Sequence, residues 1–157
     1  MEQGLDRFLI AQNQYYETAL REIQAGQKRS HWMWFIFPQI DGLGFSETAR
    51  YYAIKDLQEA KEYLKNPVLS AHLIEISKAL LLVKSNDARE VMGWPDDMKL
   101  RSSMTLFALA DPQCEVFAQV LQKFFDGKMD EKTVEKLYER LGTDVTSYGR
   151  KAVRKSQ

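Results

Sequence analysis

The chain has 157 residues, 45% hydrophobic and 28% charged, which is typical of one folded domain and excludes disorder over most of its length. Its 22 basic and 22 acidic residues cancel, so no net field attracts nucleic acid or an anionic membrane, and neither is an expected partner. A single cysteine, Cys114, excludes an internal disulfide, and residues 1–7 lack the basic region and apolar run of a secretory signal. We therefore expect a cytoplasmic protein.

The first half of the chain carries four clear helix signals. In each, apolar residues recur at helical spacing, and the ends are marked by a capping side chain, a glycine or a proline at the first helical position. The predicted helices cover residues 5–23, residues 49–52 after Ser46, residues 56–64 after the cap Asp56, and residues 67–83 after Asn66.

The second half carries three more helices. Asp96 and Asp97 favour the start of a helix over residues 98–110, which becomes apolar on most sides and is expected to be central. Helices over residues 112–125 and 130–141 follow. With no convincing alternating strand pattern, the prediction is an all-α fold, a single compact multi-helical domain of about seven helices. It spans residues 1–143, and a basic C-terminal tail covers residues 144–157.

Residues 28–39, Lys-Arg-Ser-His-Trp-Met-Trp-Phe-Ile-Phe-Pro-Gln, form the most unusual part of the sequence and are called the aromatic segment below. The six apolar residues at its centre cannot be assigned by periodicity alone. Their aromatic side chains favour a strand, but a lone strand in a helical chain has no partner for its backbone hydrogen bonds. A helix is therefore predicted.

Polar residues with strong donors bracket the aromatic segment. Arg29 and Gln39 are predicted at the rim of a pocket, where Trp32 stacks on a ring-shaped ligand, whereas Trp34, Phe35 and Phe37 are assigned to the core. His31 is the one group near the patch that exchanges protons at neutral pH, so it is the candidate catalytic residue. The alternative is a structural histidine that donates a hydrogen bond beside the tryptophans.

Two further segments complete the predicted site. Gly44 and Ser46 belong to a glycine loop before a helix start, where free backbone N–H groups suit a phosphate or carboxylate. Arg50 is expected to clamp the same anion, and Tyr51 to stack on the ligand. Arg101, with Ser102 beside it, lies on a largely apolar helix, so it is expected either to reach a ligand or to pair with a carboxylate, the candidates being Asp96, Asp97 and Glu47.

No cofactor and no metal site is predicted. The sequence lacks a Walker loop, a nucleophile elbow and a zinc-protease helix motif. His31 and His72 are too far apart in sequence to form a local metal pair. Cys114 is interpreted as a small buried hydrophobic residue.

Four blocks of this chain resemble a bacterial family of unknown function, numbered 1810: the aromatic segment, residues 42–44, residues 49–54 and residues 99–107. The resemblance extends from about residue 5 to residue 141 and implies a mainly helical single domain with no established activity. Some members carry the label calpastatin, but calpain inhibitors of that kind are disordered, and this composition is that of a folded domain. Residues 46–52 more faintly resemble helical domains that process ADP-ribose derivatives, with Ala49 and Arg50 in place of an acidic-histidine pair.

The sequence thus predicts a small anionic, nucleotide-like ligand, bound or processed in a pocket that the aromatic segment lines. The alternative is a protein–protein interaction module or homo-oligomer, in which the aromatic segment or Trp94 forms an exposed patch.

Overall fold

Nine α-helices make up the part of the chain that the computed structural model describes, residues 4–140. In this part no β-strand occurs, and Ile40 and Ile54 form only an isolated parallel bridge. In chain order the helices are α1 (Asp6–Gln24), α2 (Met33–Ile36), α3 (Glu47–Tyr52), α4 (Leu57–Lys65), α5 (Pro67–Leu82), α6 (Ala88–Met92), α7 (Asp96–Ala110), α8 (Val116–Phe125) and α9 (Glu131–Arg140).

Three predicted helix starts are confirmed by side-chain caps. Ser46 Oγ accepts a hydrogen bond from the backbone N–H of Ala49 at 3.1 Å, and Asp56 accepts one from Glu59 at 2.8 Å. Asn66 Oδ1 accepts from the first turn of α5, which begins at a proline. These side chains satisfy N–H groups that have no acceptor within the helix.

Two helix predictions differ from the structure. Helix α6 was not predicted, although Asp87 caps it by accepting from the N–H groups of Arg89 and Glu90, and Gly93 ends it at φ 81°. Helix α8 begins at Val116 rather than at residue 112, because Asp111 first organises a turn with its side chain and its carbonyl.

Helix α7 is central, as predicted. Nine of its 15 residues are buried, and it packs against α4, α6, α8 and α9, while α1 packs against α2 and α5. Phe107, fully buried on α7, contacts the rings of Tyr63 and Phe117 from two different helices. The buried core around α7 therefore positions the ends of this helix and the loops next to them.

The helices share one hydrophobic core, which confirms an all-α fold and a single compact domain for the described residues. The prediction of about seven helices is corrected to nine within residues 4–140, because α6 was missed and the aromatic segment supplies a helix of only four residues. The predicted basic tail, residues 144–157, lies outside the described residues. Across residues 4–140 no helix combines the length and the apolar character needed to cross a membrane.

Candidate functional site

The start of the aromatic segment is organised by one carboxylate, Glu22 near the end of α1. Glu22 Oε1 accepts from the backbone N–H groups of Arg29 (2.7 Å) and Ser30 (2.9 Å) and from the indole N–H of Trp32 (2.9 Å). Its Oε2 accepts from Ser30 Oγ at 2.5 Å. Burial alone would raise the pKa of Glu22, but these hydrogen bonds together lower it to about 2, so the group is ionised at neutral pH.

Lys28 ties the same segment to the start of α7. Its ammonium lies 2.8 Å from Asp96 Oδ2, donates to the carbonyl of Ser30 at 2.6 Å and lies 4.8 Å from the centroid of the Trp32 ring. Trp32 is fully buried beneath this lysine. The first half of the segment is therefore a structural anchor.

The second half of the segment faces a different environment. Trp34 is only partly buried, and the ammonium of Lys99 lies 4.0 Å from the centroid of its ring. Gly44 packs on the same ring: a Cβ there would lie 2.8 Å from Ala49 Cβ and 3.4 Å from Trp34 Cη2. Only glycine, which has no Cβ, lets the loop approach Ala49 and the Trp34 ring this closely, so a larger residue does not fit at this position.

Trp34 borders a groove of about 560 Å³ between the aromatic segment, α7 and the start of α9, called the α7–α9 groove below. This volume is within the usual range for small-molecule sites. Its apolar side consists of Trp34, Leu43, Pro95 and Met98. Its polar side consists of Gln39, Lys99, Arg101, Ser102, Asp130, Glu131 and Lys132, and Gly44 completes it.

Gln39 is the most informative residue of the groove. It is only 8% exposed, and its Nε2 has no hydrogen-bond partner within residues 4–140, whereas its backbone carbonyl accepts from the N–H of Ile54 at 2.8 Å. In this part of the chain Arg7 and Ser103 also have such an atom, but neither borders the groove. Gln39 also borders a small, partly open space of about 10 Å³ beside Tyr52. A buried amide donor without an acceptor is costly, so a water in this small space or a ligand in the groove would supply the acceptor that Gln39 needs.

The polar side of the groove is built by a hydrogen-bond network. Arg101 donates through Nε to the carbonyl of Lys128 (2.9 Å) and through Nη2 to that of Met129 (2.8 Å). The expected carboxylate partners, Asp96, Asp97 and Glu47, are therefore not the partners that hold it. Backbone carbonyls after α8 satisfy the guanidinium instead, because the chain turns back over α7 at this point.

Asp130 joins α7 to the start of α9. Its Oδ2 accepts from Ser102 Oγ at 2.9 Å, from Thr133 Oγ1 at 2.6 Å and from the N–H of Thr133 at 3.2 Å. Its own N–H donates to Thr105 Oγ1 at 2.9 Å. The N-terminus of α9 is thereby held at the edge of the groove.

The predicted site residues divide into two groups. Gln39, Gly44, Arg101 and Ser102 border the α7–α9 groove. The residues outside it are Arg29, His31, Trp32, Ser46, Arg50 and Tyr51. Of these, Trp32 is fully buried, and the other five are exposed. That the exposed five take part in binding, or that His31 is catalytic, stays a prediction.

The environments predicted for Trp32 and Trp34 are the reverse of those in the structure. Trp32 was expected at a pocket rim and is in the core, whereas Trp34 was expected in the core and borders the groove. Residues two apart on a helical turn point in nearly opposite directions, so only one of the two can face outward. The indole N–H of Trp32 finds its acceptor inward, in Glu22.

Lys99, Asp130, Glu131 and Lys132 were missed as groove residues. Lys99 and the segment around it belong to a block already singled out, but nothing in the sequence places the start of α9 beside Trp34. Across residues 4–140 no group of three His, Cys, Asp or Glu side chains is placed to hold a metal ion. Cys114 is half-buried, and burial together with the charge of Asp111 raises the pKa of its thiol.

Comparison with known proteins identifies the family. A family model described as "Protein of unknown function (DUF1810)" matches residues 2–137. The chain belongs to the DUF1810 family. It is similar to the crystal structure of the conserved hypothetical protein Rv1873 from Mycobacterium tuberculosis, with a TM-score of 0.83 and 44% sequence identity, covering 85% of this chain and 95% of that one. No curated protein matches the chain.

Membership of the DUF1810 family confirms the resemblance seen in the four sequence blocks. Neither description names an activity. Function therefore has to be argued from the groove.

Proposed function

We propose that the α7–α9 groove binds a small anionic molecule that also carries an apolar or ring-shaped part. The observation that supports this most strongly is Gln39, a buried amide donor with no acceptor among the described residues, at the edge of a groove that also contains three cationic side chains. A phosphate or carboxylate oxygen is the acceptor that such a donor lacks.

The charges of the groove favour an anion. Lys99, Arg101 and Lys132 outnumber the carboxylates of Asp130 and Glu131 among the groove residues, and Lys99 also pairs with Asp96 at 3.2 Å, outside the groove. The Oδ2 atom of Asp130 is already used by three hydrogen bonds. The carboxylate of Asp130 already caps the first turn of α9 through the N–H of Thr133, so the anion is held chiefly by the three cationic side chains and Gln39.

The opposite side of the groove suits the uncharged part of the ligand. Leu43, Pro95 and Met98 offer apolar contacts beside Trp34. Because Lys99 lies over the Trp34 ring, a ligand ring is expected to meet the exposed edge of that indole and the neighbouring apolar side chains. Nucleotides and sugar phosphates combine these two characters in one molecule.

A thermal-shift screen with inorganic phosphate, nucleoside monophosphates, sugar phosphates and ADP-ribose tests the proposal. A ligand that binds only the native state, present at 100 times its Kd, adds about 2.7 kcal/mol of stability. For a chain of this size that corresponds to a rise in Tm of about 5–10 °C. The proposal is wrong if none of the probes raises the Tm at concentrations well above a millimolar Kd.

Variants of α9 locate the site. Lys132→Gln removes a cation from the groove, whereas Lys136→Gln makes the same change one turn along the helix, outside the groove. The first variant is expected to weaken binding of the anion about five- to tenfold, and the second to leave it unchanged. Equal binding by both variants would place the anion elsewhere. Gln39→Leu keeps the size of the side chain and should weaken binding without a change of net charge.

A second candidate is an interaction surface around Trp94. This side chain is 68% exposed beside the groove residue Pro95, and Met98 is 49% exposed on the next turn. An exposed aromatic with apolar neighbours is typical of a contact with a partner or a second copy of the chain. Light scattering after size exclusion on the wild type and Trp94→Ala tests the homodimer form, and a monomer in both would exclude it.

A further inference from the structure

A second, separate site is indicated between α1 and α5, where a largely buried hydrogen-bond network determines the proton position on His72. Gln12 Nε2 donates to the backbone carbonyl of Phe35 and to Tyr63 Oη, both at 2.8 Å. A carbonyl only accepts, so the amide nitrogen of Gln12 must face Phe35. Its Oε1 then faces Nδ1 of His72 at 2.8 Å.

This arrangement determines the tautomer of the imidazole. Because Gln12 Oε1 can only accept, Nδ1 of His72 must carry the proton. In the neutral ring the lone pair is therefore on Nε2. Burial lowers the pKa of His72 below its usual value, against a smaller opposing effect of the charge of Glu75, so the ring is neutral at pH 7.

The orientation of the His72 ring is also fixed by stacking. Tyr16 stacks on it with a centroid distance of 3.8 Å and an interplanar angle of 11°. Tyr16 Oη donates to Glu75 Oε1 at 2.5 Å and lies 3.1 Å from the carbonyl of His72. A histidine fixed at Nδ1 and stacked on one face has a single direction in which Nε2 can point.

His72 borders a pocket of about 430 Å³ between α1 and α5, called the α1–α5 pocket below. Among residues 4–140 the hydrogen bond of the His72 ring is made by Nδ1, which leaves Nε2 for a ligand or water. The other lining residues are Leu9, Ile10, Asn13 and Val68, and none of them borders the α7–α9 groove. Ile10 is 55% exposed and Val68 is 48% exposed, so the rim is apolar and open.

We infer that the α1–α5 pocket is a binding site for an uncharged, largely apolar molecule with one O–H donor, a phenol or alcohol, whose hydroxyl donates to Nε2 of His72. The apolar body contacts Leu9, Ile10 and Val68. No charged residue lines the pocket, which disfavours an ionic ligand. Asn13 supplies one further polar contact for specificity.

Nuclear magnetic resonance of the full chain tests this with 4-methylphenol as the probe. The chain has two histidines, so exposed His31 serves as an internal control for His72. In the free protein the nitrogen signals of His72 are expected to show a protonated Nδ1 and an unprotonated Nε2. Addition of 4-methylphenol should shift the Nε2 signal of His72 saturably and leave that of His31 unchanged.

Two controls make the outcome decisive. 4-Methylanisole has the same apolar body but no donor, and it should bind about fivefold more weakly, the loss expected for one neutral hydrogen bond. Val68→Gln should weaken 4-methylphenol binding about threefold or more through lost apolar contact, whereas Leu82→Gln, on the same helix at an 85% exposed position, should not. A proton on Nε2 in the free protein, equal shifts with both probes, or binding unaffected by Val68→Gln would each overturn the inference.

Discussion

Replacing Glu22 tests whether one carboxylate organises the aromatic segment. Glu22→Ala removes the acceptor of the indole N–H of Trp32, a fully buried residue, and an unsatisfied buried donor costs about 1–3 kcal/mol. The backbone N–H groups of Arg29 and Ser30 would hydrogen-bond to water instead, and each lost bond lowers the stability by about 0.5–1 kcal/mol. The total is about 3 kcal/mol, or a fall in Tm of about 6–12 °C.

Glu22→Gln separates the charge from the shape. It keeps an acceptor of the same geometry but removes the charge, so we expect a loss of about 1–3 kcal/mol, the upper end being the value that the lowered pKa of Glu22 implies. The pKa of Glu22 is lowered to about 2 in the native state from 4.5, so its charge stabilises the fold above pH 4.5. That contribution is lost as the pH falls towards 2. The stability difference between the wild type and Glu22→Gln should therefore be constant near neutrality and vanish over this acidic range.

Urea denaturation followed by tryptophan fluorescence measures both effects. Glu17→Ala is the matched control, because Glu17 is an exposed glutamate on the same helix and its loss should change stability by less than about 0.5 kcal/mol. If Glu22→Ala costs no more than Glu17→Ala, Glu22 does not organise the segment. A difference between the wild type and Glu22→Gln that persists unchanged at pH 2 would refute the electrostatic part of the reasoning.

Three further substitutions test the packing around the two sites, each by its free energy of unfolding in chemical denaturation. Gly44→Ala should lower it by about 1–3 kcal/mol, because the new Cβ would lie 2.8 Å from that of Ala49. An unchanged free energy of unfolding would mean that the loop can shift to make room for the Cβ. Lys28→Met should lower the free energy of unfolding by about 1–2 kcal/mol, since Asp96 loses its partner at 2.8 Å but keeps Lys99 at 3.2 Å. An unchanged value would mean that the ion pair of Lys28 and Asp96 does not stabilise the fold. Gln12→Leu should cost about 2–4 kcal/mol by leaving a buried carbonyl and the imidazole N–H unpaired, and a loss below 1 kcal/mol would contradict the network.

Helix positions were predictable from the sequence where a local chemical signal determines them. Ser46, Asp56 and Asn66 cap the helices that follow them, because the bond runs between neighbours in sequence. Helix α6 has the same kind of signal, Asp87 followed three residues later by Glu90, but its five residues carry too little periodicity to stand out. Caps and apolar periodicity, which are local in the sequence, therefore predicted the all-α fold and the central position of α7.

The groove was only partly predictable, because its contacts join distant parts of the chain. Gln39 and Arg101 were singled out as polar residues in apolar surroundings, and both border the groove. The partners of Arg101 are backbone carbonyls, which carry no sequence signal. The choice between Trp32 and Trp34 depends on where Glu22 lies, and that is a property of packing rather than of the segment itself.

The α7–α9 groove is assembled from distant parts of the chain: Trp34 and Gln39 come from the aromatic segment, Leu43 and Gly44 from the glycine loop, and the remaining residues from α7, the residue before it and the start of α9. Such a surface needs all of these segments in place together, so we expect it to be completed after the folding transition state. A ligand held there therefore acts on the unfolding rate and leaves the folding rate almost unchanged. In a cell, such a ligand would extend the lifetime of finished molecules without assisting those still being made.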